Sequence, residues 1–112
     1  MTGSGSPGLP QARFEDGLRL LAAALALEAR PDAAPAVVST ACDAITCFMA
    51  TFEAAARRHL RDPEGEMAVL RGQLEALLSP RQSPAEAAAH ALDAARLARD
   101  QAARLLPRLG PG

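Results

Sequence analysis

The sequence predicts an all-α chain: an antiparallel four-helix bundle with disordered N- and C-terminal tails. Three observations lead there. Residues that favour strands are scarce, since aromatics make up 3%, Trp and Tyr are absent, and the three Phe are Phe14, Phe48 and Phe52. Alanine supplies about a quarter of the residues, a composition suited to closely packed helices. Apolar residues recur at helical spacing in four segments, separated by breaks that contain proline. With 112 residues, 49% hydrophobic and 22% charged, the chain has the size and balance of one globular domain.

Residues 1–10 are rich in Gly, Ser and Pro and read as a flexible tail. The bundle domain is expected over 11–106, with a second tail over 107–112. The first helix is expected from Gln11 to Ala29, its inner stripe formed by Phe14, Leu18, Leu21 and Leu25. Pro31 stops it, because a proline disfavours helical geometry in the residue before it. Asp32 is the expected N-cap of the second helix, with Pro35 in the first turn.

The second helix, from Ala33 to Leu60, is the expected central rod. Val38, Ile45, Phe52 and His59 are spaced by seven, and Ala41, Phe48 and Ala55 follow the first three of them by three. That pattern is the a/d seam of a left-handed bundle. Asp62-Pro63 then closes one helix and opens the next, with Asp62 as N-cap, Pro63 in the first position, and Glu64 and Glu66 favoured by the dipole. Met67, Leu70, Leu74 and Leu77 form the third helix's stripe. Ser83-Pro84-Ala85-Glu86 is a capping box that starts the fourth helix. Its inner stripe is Ala88, Ala91 or Leu92, Ala95, Ala98, Ala102 and Leu105, and Pro107 closes it.

The functional content is thinner. Net charge is −1 and the pI about 6.1, so no global field attracts nucleic acid or an anionic membrane. All the Lys/Arg positions are Arg, which fits a GC-rich coding sequence. No apolar run reads as long enough to span a membrane, and the N-terminal stretch lacks the pattern of a signal peptide. Cys42 and Cys47 sit about 140° apart around a helix and so cannot bridge within it. They read as free thiols in a reducing cytoplasm, the expected location.

Catalysis by nucleophile and base would have to use His59 or His90, and neither is accompanied by a nucleophile motif. Glu86 and His90 share a helix face without the Glu-x-x-His spacing of di-iron bundles, so no metal is expected. No strand-loop-helix phosphate motif is present, so no cofactor is expected either. Arg57, Arg58, His59 and Arg61 form a basic cluster, the candidate contact for an anion such as RNA. The small-residue stripe Ala88, Ala91, Ala95, Ala98 and Ala102 is the candidate interface for a homodimer or a protein partner.

Residues 36–74, AVVSTACDAITCFMATFEAAARRHLRD followed by PEGEMAVLRGQL, resemble the central helix pair of HEPN domains. There a small-residue-rich helix with an apolar middle and a basic end is followed by a short break and another helix. The segment SPRQSPAEAAAHALDAARLARDQA resembles the final HEPN helix. The resemblance implies a four- or five-helix bundle that often dimerises, and in many members a ribonuclease with an R-x4-6-H motif. Here the positions ahead of His59 hold Phe52, Glu53 and Ala54, and those ahead of His90 hold Ser83, Pro84 and Ala85. No catalytic residue carries over. The expected function is thus a non-catalytic, HEPN-like interaction module, forming a homodimer or binding a protein partner. The alternatives are a HEPN-type ribonuclease or RNA-binding toxin component and a structural subunit of a larger assembly.

Overall fold

The computed structural model describes residues 9–80 and 83–109 and forms a four-helix bundle. Helix α1 spans Leu9–Glu28, α2 Ala34–His59, α3 Pro63–Leu78 and α4 Pro84–Leu105, followed by a short 3-10 helix over Leu106–Leu109. No strand occurs among the described residues. Of the expected tails, residues 1–8 and 110–112 lie outside the described residues. The inner ends of both are helical: Leu9 and Pro10 open α1, and the 3-10 helix carries the chain past Pro107.

The breaks follow the local chemistry. The Asp62 carboxylate accepts the Gly65 N–H at 3.0 Å, and the Ser83 hydroxyl accepts the Glu86 N–H at 3.3 Å. Each satisfies a donor that the first turn of a helix leaves free. Asp32 does not cap α2. The chain turns from Arg30 to Ala33 through an Ala33 N–H to Arg30 carbonyl bond of 3.3 Å, which puts buried Ala33 at the cap position with no side-chain bond. The Val37 N–H then donates to the Ala33 carbonyl at 2.9 Å, beginning the helix.

Helix α2 lies at the centre, packed most extensively against α1 and α4. Ala41, Ile45, Phe48, Phe52 and Ala55 of the expected seam are buried. Val38 is only half-buried and His59 is exposed. Val37, Ala44, Cys47, Thr51 and Ala56 are buried in addition, because α2 meets helices on two sides and a single stripe does not serve both. With 26 residues and an 18-residue stretch of mean hydropathy 1.4, α2 is long and apolar enough to cross a membrane by length and composition, contrary to the expectation that no run reaches spanning length. Ten of its residues are buried in the bundle.

Helix α1 presents a different face from the expected one. Gly17, Leu21 and Ala24 are buried and Phe14 packs against the core, whereas Leu18 and Leu25 are 40% and 36% exposed. The cause is Phe48. A Cβ at Gly17 would lie 2.6 Å from the Phe48 ring, so only a residue without a side chain lets α1 approach there. The Phe14 and Phe48 rings meet with centroids 5.4 Å apart at a tilted 59°. Near the start of α1, the buried Thr51 hydroxyl donates to the Pro10 carbonyl at 2.8 Å, with the Cys47 carbonyl at 3.4 Å beside it.

Helix α3 buries Met67, Leu70 and Leu74 and packs chiefly on α4. Helix α4 buries the whole expected stripe, including Leu92 and Leu105, together with Ala94. The N-terminal ends of α2 and α4 lie side by side, since Ala34, Pro35 and Val38 line one shallow pocket with Pro84 and Ala87. The molecule is a slab with principal extents of 44 × 32 × 18 Å.

Two glycines should respond oppositely to alanine. At Gly72 a Cβ meets nothing within 4 Å, so Gly72→Ala should stabilise by about 0.5–1 kcal/mol through helix propensity. Gly17→Ala should lose that gain to overpacking worth about 1–3 kcal/mol. Phe52, 1% exposed, should cost about 3–5 kcal/mol on replacement by Ala. Urea denaturation of the three variants checks all of these signs. A stabilising Gly17→Ala would show that α1 does not pack on Phe48 as described.

Candidate docking groove

A concave groove runs between α2 and α3. Ile45, Thr46, Met49, Ala50 and Glu53 form one wall, and Met67, Arg71, Leu74, Glu75 and Leu78 the other. It encloses about 450 Å³ and is open to solvent along its length. The groove exists because α3 leans on α4 and makes few contacts with α2. The α2 face that would otherwise meet α3 is left half-covered. Its floor is apolar, with Ile45, Met67 and Leu74 buried and Met49 partly so. Leu78, on the α3 lip, is 38% exposed.

One end of the groove is bounded by charge. Arg57 Nη2 lies 2.6 Å from the Glu53 carboxylate and 3.6 Å from that of Glu64, tying the last turns of α2 to the first turn of α3. These groups are largely solvated, so the bridge positions more than it stabilises. Arg71 and Glu75, one turn apart on the other wall, make no ion pair among the described residues.

The basic cluster is at the C-terminal end of α2. Arg57, Arg58 and His59 occupy its last turn, with Arg61 in the following loop, and all four are exposed. Arg57 is engaged by Glu53 and Glu64, which leaves Arg58, His59 and Arg61 without an ion pair among the described residues. Arg104 lies in the last turn of α4, and the 3-10 helix beyond it packs against α2. Two helix C-termini thus share one pole, where their dipoles favour cations whatever the function. Elsewhere on α4, Arg96 faces Asp93 at 3.4 Å and Arg99 faces Asp100 at 3.0 Å.

The candidate interface on α4 requires correction. Ala88, Ala91, Ala95, Ala98 and Ala102 are 5% exposed or less within one chain, in the core cluster shared with α1, α2 and α3. A second copy could reach them only by opening the bundle. Their small size serves close packing within the monomer instead.

No group of three or more His, Cys, Asp or Glu suited to a metal ion occurs among the described residues. His90 is half-buried, and its Nδ1 has no hydrogen-bond partner among the described residues. Cys42 and Cys47 are free thiols. Burial, and secondarily the Asp43 carboxylate beside it, pushes the Cys42 thiol above its ordinary value, which keeps it protonated and poorly nucleophilic at neutral pH. Compared with known protein families, with characterised proteins and with solved structures, the chain shows no match.

The groove was not anticipated from the sequence. Its signal was the row Ile45, Met49, Glu53 at four-residue spacing, which runs beside the a/d seam and extends the apolar surface of α2 past it.

The position of the alanine stripe makes a clear prediction. Ala95→Glu would place an unpaired carboxylate in the core, costing several kcal/mol. Circular dichroism melts should show a monomer that unfolds or melts far earlier. A variant of unchanged helicity and stability would return Ala95 to the surface.

Proposed function

We propose that this chain is a non-catalytic helical interaction module, HEPN-like in its helix pattern, that forms a homodimer or binds a protein partner through the α2–α3 groove. The groove carries the reading. A sizeable apolar trough with two methionines among its residues is a surface suited to contact, since methionine adapts to irregular partners. The missing R-x4-6-H motif supports the non-catalytic part. An antiparallel, up-down-up-down arrangement belongs to the same reading, supported by short connections and by the adjacent N-termini of α2 and α4. A cytoplasmic setting is proposed from the two free thiols.

A second reading, RNA binding or cleavage, draws on one observation: Arg58, His59 and Arg61 are exposed and without an ion pair among the described residues.

Two measurements separate these readings. Incubated with structured RNA in low and moderate salt, the protein should neither cleave it nor bind it in a salt-sensitive way. Cleavage that disappears in His59→Ala would overturn the non-catalytic reading. Light scattering into the high micromolar range should show self-association that Met49→Glu removes while helix content is kept. Association unaffected by that change would move the interface elsewhere.

A further inference from the structure

We draw no further inference here: the strongest candidate, the cavity of about 220 Å³ between the α1–α2 turn and the first turns of α2 and α4, where Glu28 and Arg30 stand beside an α2 N-terminus that no side chain caps, rests on helix N-termini with no second observation that points to a ligand.

Discussion

The contact of the Phe48 ring with the α1 backbone at Gly17 sets the geometry of the bundle. Phe48 is fully buried, and no side chain fits between it and α1. Phe14 closes against the ring from the same helix, and the Thr51 hydroxyl, three residues beyond Phe48, holds the Pro10 carbonyl at the start of α1. These contacts fix the rotation of α1 about its axis and its height along α2. Gly17, Leu21 and Ala24 then turn inward, and Leu18 and Leu25 are displaced to the rim. With few large side chains in the core, so close an approach is how this chain buries area.

Alanine does the same work on the other side of α2. The face of α4 that enters the core is almost entirely alanine, with Leu92 and Leu105 as its large members. Alanine allows helix axes to draw together and loses no side-chain entropy on burial. The consequence is an uneven bundle. Helices α1, α2 and α4 form a dense body, while α3, joined chiefly to α4, stands off from α2. The groove is the space left by that arrangement. Its apolar floor is shared by Ile45 and Met49 of α2 and Met67 and Leu74 of α3.

Much of this was legible in the sequence, and the exceptions have physical causes. Helix number, the proline-marked breaks and the caps at Asp62 and Ser83 are local properties, encoded within three or four residues, and they stand as read. The inner face of α4 was equally plain, because alanine spacing there has no larger apolar residue to compete with it. The α1 face was misread because periodicity weights leucine above glycine, whereas the packing opposite Phe48 required the glycine. Asp32 was displaced as a cap by a backbone turn that the sequence does not announce. The alanine stripe was correctly located and wrongly assigned to an outside partner: small residues mark close approach without stating whether the neighbour is the same chain. The groove depends on how far apart two helices stand, which no local pattern records.

The groove in this chain therefore follows from the unequal packing of its helices. The central claim is that α3 is the least supported helix and that one side of α2 is left uncovered. Native-state hydrogen exchange tests it most directly, since amide protection follows local packing. The account predicts that amides of α2 facing α1 and α4 exchange slowest, with α4 close behind, and that α3 between Met67 and Leu78 exchanges markedly faster. Protection of α3 equal to that of α2 would contradict it, because an α3 held that firmly would leave no open groove beside it.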